Sequence, residues 1–180
     1  MDAYKQAVEF AAKAHVRQFR KGTDIPYIVH PVEVAQILTK AGADETLICV
    51  GLLHDVLEDT EVTAEELRKS FGDKITSLVL IHTEDKRLSW EVRKQHTIDY
   101  LKSETKGESL LVTCADKLSN MRSISIDYES CEENLWSRFN RGKEKQRWYY
   151  ENVIQTLEPL HEYLMYQELV SLYQSVFLRK

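Results

Sequence analysis

The chain of 180 residues is acidic, with a formal net charge of −5 and a pI near 5.7, and 43% of its residues are hydrophobic. Such a length can bury a sizeable core, and the acidic balance argues against a surface that follows a nucleic-acid backbone, which demands clustered Lys and Arg. No apolar run approaches the ~20 residues of a membrane span, and the N-terminus lacks the basic start and apolar centre of a secretory signal, so a cytoplasmic protein is expected.

Six glycines and three prolines interrupt the chain rarely, and the 3.6-residue periodicity recurs along it without useful strand alternation. An all-α, single compact domain of about nine or ten helices is therefore expected. The predicted helices are residues 2–19, 31–41, 44–57, 63–71, 74–82, 89–102, 108–125, 130–139, 143–157 and 159–177. The charged or polar stretches 85–88 and 105–107 read as loops inside one domain rather than as linkers.

Between the first two helices lies Pro26-Tyr27-Ile28-Val29-His30-Pro31. A residue before proline is pushed out of the right-handed helical region, while proline suits a first helical position, so His30 should sit at the entry of helix 31–41. It is either a ring bonded to its own turn or a metal ligand. Val32, Val34, Ala35, Ile37 and Leu38 form the apolar stripe, and Gly42 is the stop.

The next predicted helix carries the most concentrated chemistry. His54, Asp55, Glu58 and Asp59 fall on one face at ~100° per residue, behind the apolar run Leu47, Ile48, Val50, Leu52 and Leu53. A solvated acidic face is one reading. The other is a site, because three unpaired acids crowded against a core need a cation. Thr63-Ala64-Glu65-Glu66 is a capping box and Gly72 a stop, which bound helix 63–71 at both ends.

In helix 108–125, Asp116, Asn120 and Ser123 share a stripe among Leu110, Leu111, Cys114, Ala115, Leu118 and Met121. This helix should be buried nearly all round. Asp116 then requires a metal, a basic group or a helix–helix hydrogen-bond network. Beyond it, Trp136, Phe139, Trp148, Tyr149, Tyr150 and Leu160 read as packing positions, although Trp148 or Tyr149 could stack on a base. Arg138, Arg141, Lys143, Lys145 and Arg147 are the one basic concentration, either a solvated helix entry or a phosphate clamp. Cys49, Cys114 and Cys131 form no metal-binding pairs, and Cys49 and Cys114, on apolar helix faces, fit small buried hydrophobes in a reducing compartment. His15, His82, His96 and His161 read as structural or exposed, with His82 the best placed exception.

Together His30, His54, Asp55 and Asp116 make a mixed nitrogen and oxygen ligand set, suited to manganese, iron(II) or zinc. Such an ion polarises a phosphoryl oxygen and lowers the pKa of water, leaving Glu58 and Asp59 to orient water or move protons.

With these motifs in order, residues 7 to 125 resemble the HD-type hydrolase domain of the RelA/SpoT family, in particular its small stand-alone alarmone hydrolases. Ala14-His15 with Arg20-Lys21 is similar to the opening basic segment, and Pro26 to Pro31 to the first metal motif. Leu52 to Thr60 is similar to the central motif, Phe71-Gly72 to the next helix end, and Ala115 to Arg122 to the last motif. The resemblance implies one Mn(II) held by His30, His54, Asp55 and Asp116, catalytic acids at Glu58 and Asp59, and nucleotide contacts from Arg20, Lys21, Asn120 and Ser123. The implied reaction removes the 3′-pyrophosphate from guanosine tetra- or pentaphosphate. Arg20 could stack on a base or clamp phosphate through its planar fork, Lys21 could add a mobile charge, and a basic helix end would account for both equally well.

This chain departs from the family pattern at Gly22-Thr23-Asp24-Ile25, in place of Gly-Glu-Pro, and at Ser119, where relatives often carry an aromatic residue or His. The Thr83 to Lys86 segment is similar to the metazoan SpoT homologues, a branch also associated with removal of the NADPH 2′-phosphate, so the nucleotide stays open. The segment after Asp127 is too short for the synthetase domain of long family members, which implies hydrolysis without synthesis. A non-catalytic nucleotide-binding regulator is the alternative in a different class, and the aromatic C-terminal helices leave room for a homo-oligomer.

Overall fold

The structure is a computed structural model that describes residues 2–104 and 107–178. Thr105 and Lys106, in the expected 105–107 loop, lie outside the described residues. Among those described there are nine α-helices and no sheet: α1 (Ala3–Ala14), α2 (Val29–Lys40), α3 (Glu45–Leu53), α4 (Val56–Asp59), α5 (Ala64–His82), α6 (Trp90–Ser103), α7 (Glu108–Cys131), α8 (Gly142–Thr156) and α9 (Leu164–Phe177). Two 3-10 turns, Glu132–Arg138 and Glu158–Leu160, precede α8 and α9. Among the described residues, no helix is long and apolar enough to cross a membrane.

The first expected helix stops early. Its start is capped by the Asp2 carboxylate on the Tyr4 N–H, but it ends at Ala14 because His15 leaves the helix to bury its ring against Tyr27, with centroids 4.9 Å apart. Residues 15–28 become a clipped loop instead. An isolated antiparallel bridge joins Phe19 to Pro26, and the Arg20 N–H donates to the Ile25 carbonyl at 2.8 Å. Arg20 and Lys21 thus sit on a loop, not on a basic helix end.

Helix α2 begins at Val29, earlier than expected, so His30 lies inside the first turn rather than ahead of it. Pro31 is tolerated there because the first backbone N–H groups of a helix have no intrahelical acceptor in any case. The expected helix 44–57 is broken. After α3, capped by Asp44 on Leu47 N, residues His54 and Asp55 form a turn before the short α4. The two expected helices 63–71 and 74–82 run together as α5 around a kink. Gly72 supplies it with φ 77° and ψ 177°, a conformation nearly closed to residues with a side chain. The Thr63 and Glu66 capping box forms as read. Helix α7 runs on past Ser125 to Cys131.

Helices α2, α3 and α7 form the inner layer, with α1 and α5 against α3 and α9 along α7. Their shared core includes Leu38, Val50, Leu52, Leu53, Leu118 and Met121, all fully buried. The close approach of α2 and α3 occurs at Gly51, where a Cβ would lie 2.6 Å from Leu38 Cδ1 and 3.1 Å from Val34 Cγ1. This crossing brings His30 and His54 together. Cys49 and Cys114 are buried, and all three cysteines are free.

Candidate active site

Three elements deliver the metal candidates: His30 from α2, His54 and Asp55 from the turn after α3, and Asp116 from α7. Donor atoms of His30, His54 and Asp116 lie within 4.8 Å of one another. Asp55 Oδ2 stands 3.1 Å from His54 Nε2 and 3.5 Å from His30 Nε2, and Asp116 Oδ1 stands 3.2 Å from His30 Nε2. All four sequence-predicted ligands therefore converge, although the helix expected to present two of them is interrupted at those residues.

Hydrogen bonding behind the rings tests whether a cation fits. His54 Nδ1 faces the Gly51 carbonyl at 2.8 Å and must carry a hydrogen, since a carbonyl only accepts. In the neutral ring the bare Nε2 then points at two carboxylates. That buried atom makes no hydrogen bond. A divalent ion would turn this juxtaposition of lone pairs into coordination, and the donor set, imidazole and carboxylate without thiolate, suits one.

The electrostatics agree with a site built for positive charge. Burial works against the His54 imidazolium, but the negative charges of Asp55 and Asp116 outweigh it and raise its pKa well above the ordinary range. At His30 burial prevails and lowers it. Asp116 also meets Lys117 Nζ at 2.6 Å and the Asn120 amide at 2.6 Å; against the effect of burial, Lys117 and then the two imidazoles keep its carboxyl well below the usual range.

The acids differ in environment. Glu58 accepts from the Glu84 N–H at 3.0 Å, and burial, with the charges of Glu84, Asp59 and Asp55, raises its pKa. Asp59 is held by Lys86 and accepts from the Tyr27 hydroxyl at 3.3 Å, while Tyr27 donates more closely to Asp55 Oδ2 at 2.6 Å. Both acids line a cavity of about 450 Å³ that also contains the four ligands.

A second cavity, about 730 Å³, adjoins the first, and both are walled by Tyr27, His30, Lys94, Lys117, Asn120 and Tyr149. Arg20, Lys21, Asn120 and Ser123 all line the larger one. Arg20 donates to Asn120 Oδ1 at 2.7 Å and lies 5.6 Å from the Tyr27 ring centroid. Of the two aromatic candidates, Tyr149 lines both cavities, whereas Trp148 lies behind, against Trp90. The sizes are those of small-molecule pockets.

Several contributors had no local signal. Tyr27, Lys117 and Ser119 act through partners distant in sequence or through burial, and Trp90 joins the larger cavity from the start of α6. Arg93 and Lys94 enclose Glu84 at 2.6 and 2.7 Å. His82, the exception foreseen among the remaining imidazoles, lines the smaller cavity; burial and then the His54 charge lower its pKa to about 4. His96 lines it too, while His15 is buried under Tyr27. None of the residues of the basic concentration lines either cavity. Arg138 pairs with Asp127, Lys143 with Glu133, and Arg141 and Lys145 approach Glu91.

Comparison with known proteins gives the same constellation a lineage. Residues 7–139 match the family model described as HD domain. The chain is 38% identical over 146 residues to the Homo sapiens guanosine-3′,5′-bis(diphosphate) 3′-pyrophosphohydrolase MESH1, an alignment covering 79% of this chain and 78% of that enzyme. A solved structure from Listeria monocytogenes EGD-e superposes with a TM-score of 0.77 at 38% identity, over 83% of this chain and 99% of the other. A metazoan ortholog of SpoT, described as hydrolysing ppGpp and acting in starvation responses, superposes with a TM-score of 0.81 at 25% identity, over 97% of this chain and 96% of its own.

Proposed function

The chain belongs to the HD-domain family, in its branch of small SpoT-like alarmone hydrolases, and from that premise we propose that it is a metal-dependent pyrophosphohydrolase. Its substrate is guanosine 3′,5′-bis(diphosphate) and the pentaphosphate relative, from which it removes the 3′-pyrophosphate. The observation that carries this reading is the buried His54 Nε2, without a hydrogen bond and facing two carboxylates in the wall of the smaller cavity.

His30, His54, Asp55 and Asp116 would hold one Mn(II). When bound, Mn(II) supplies Lewis-acid polarisation of a phosphoryl oxygen and a source of nucleophile at neutral pH. Glu58 takes up and returns a proton at its carboxylate, the role its raised pKa favours. Asp59, tied to Tyr27 and Lys86, orients the attacking water. The nucleoside occupies the larger cavity. There Arg20, already aligned by Asn120, offers a flat cationic face to the base, while Lys21 and Ser123 engage polar groups of the nucleotide.

A panel with Mn(II) tests the assignment: guanosine 3′,5′-bis(diphosphate), NADPH and GTP are offered in turn, and released pyrophosphate and orthophosphate are measured. Pyrophosphate from the first substrate is the expected main product. Orthophosphate from NADPH as the dominant product would reassign the substrate, and binding without turnover of any of them would make the protein a regulator.

A further inference from the structure

The two imidazoles of the site are held from behind in different ways. His54 leans on a backbone carbonyl, whereas His30 leans on a side chain, with its Nδ1 2.8 Å from Ser119 Oγ. Ser119 is fully buried and donates in turn to Glu33 Oε2 at 2.8 Å. The other oxygen of Glu33 accepts from Arg122 Nη1 at 2.8 Å, and Arg122 presents its Nε and Nη2 to Glu168 at 2.7 Å each. Glu168 belongs to α9, beyond the residues matched by the family model.

The hydrogens in this chain can be arranged in only one way. Arg122 only donates, and the Glu33 carboxylate only accepts, so the single Ser119 hydrogen is spent on Glu33. Ser119 therefore turns a lone pair to His30, and Nδ1 must carry the ring hydrogen. A neutral His30 is left with a bare Nε2, aimed at Asp116 Oδ1 and Asp55 Oδ2. That is the tautomer a metal ligand requires.

We propose that Ser119, Glu33 and Arg122, anchored by Glu168, form a positioning chain that fixes the tautomer and orientation of His30 for metal binding. The proposal rests on the metal-binding part of the function proposed for this site. It gives α9 a part in the site without any contact with the metal. It also gives a role to Ser119, which stands where relatives often carry a different side chain.

Glu33→Gln is the discriminating variant, because it keeps the shape and reverses hydrogen polarity, while Glu168 still pairs with Arg122 after the Glu33 charge is lost. The amide must turn its oxygen to Arg122 and its NH₂ to Ser119. Ser119 then donates to His30 Nδ1, and the ring hydrogen moves to Nε2, removing the ligand lone pair. A comparable reversal of tautomer disables an otherwise intact catalytic histidine elsewhere. Mn(II) affinity is read from the electron paramagnetic resonance signal of the free aqua ion, with the melting temperature of each metal-free protein measured alongside. Glu33→Gln and Ser119→Ala are each expected to weaken Mn(II) binding by about 10-fold or more, with Tm unchanged, and Ser119→Thr, which keeps the hydroxyl, to restore it. Affinity equal to that of the unaltered protein in Glu33→Gln and Ser119→Ala, or a loss that only follows a fall in Tm, would overturn the positioning chain while leaving the metal site standing. No binding by the unaltered protein, with His54→Ala as the matched negative control, would overturn the metal reading and the chain together.

Discussion

Glu58, the proposed proton carrier, stands where its charge costs stability. Its pKa is raised by burial and by the neighbouring acids. A carboxyl raised in the folded state adds stability only while protonated, and that contribution is lost as pH climbs through the folded value. At neutral pH the ionised Glu58 is thus a net strain on the fold. Glu58→Gln keeps the shape and the acceptor for the Glu84 N–H while removing the buried charge. The expected result is a higher melting temperature at pH 7 and turnover lower by about 10²–10⁴-fold, with Mn(II) affinity retained. The acid limb of the pH–rate profile of the unaltered protein should lie above the ordinary Glu value of about 4.3. Full pyrophosphate release by metal-loaded Glu58→Gln would remove Glu58 from the mechanism.

At the scale of elements, the site depends on how closely α2 and α3 approach. Gly51 permits that approach, and a methyl there would press on Leu38 and Val34, both fully buried. Gly51→Ala is expected to cost about 1–3 kcal/mol in denaturant unfolding and to weaken Mn(II) binding, because His30 and His54 ride on the two displaced segments. Unchanged stability and affinity would mean that the interface yields without moving the ligands. The elements themselves were legible in the sequence wherever a local rule governs them. The Thr63 capping box was read from adjacent residues, and so was Gly72, as a stop where the structure has a kink. The break at His54 and Asp55 was not, since neither residue is a helix breaker and both keep right-handed backbone angles. Nor was the early end of α1, which depends on His15 finding Tyr27. The metal candidates stood out because two imidazoles and several acids interrupt apolar stripes. Lys117 and Ser119 did not: what marks Lys117 is partial burial beside Asp116 on its own helix, and what marks Ser119 is burial beside His30 of α2.

Across the whole molecule, folding brings Asp55 and Asp116 together around two rings, an arrangement that a bound cation would stabilise. Mn(II) should therefore bind the folded chain far better than the unfolded one. At a free concentration 100 times Kd the linkage amounts to about 2.7 kcal/mol, or a rise in Tm of roughly 5–11 °C for a chain of this size. Thermal melting across a Mn(II) titration checks this, and Asp116→Ala should not respond. A flat response in the unaltered protein would show that the cluster is stable without a cation. The larger cavity carries a practical consequence. It reaches His30 yet is walled mainly by Arg20, Trp90, Tyr149, Tyr150 and their neighbours, so an inhibitor can be shaped to fill it without seizing the metal. Under the proposed function, such a compound would compete with the nucleotide at any metal concentration, through Trp90 and the 15–28 loop rather than through chelation.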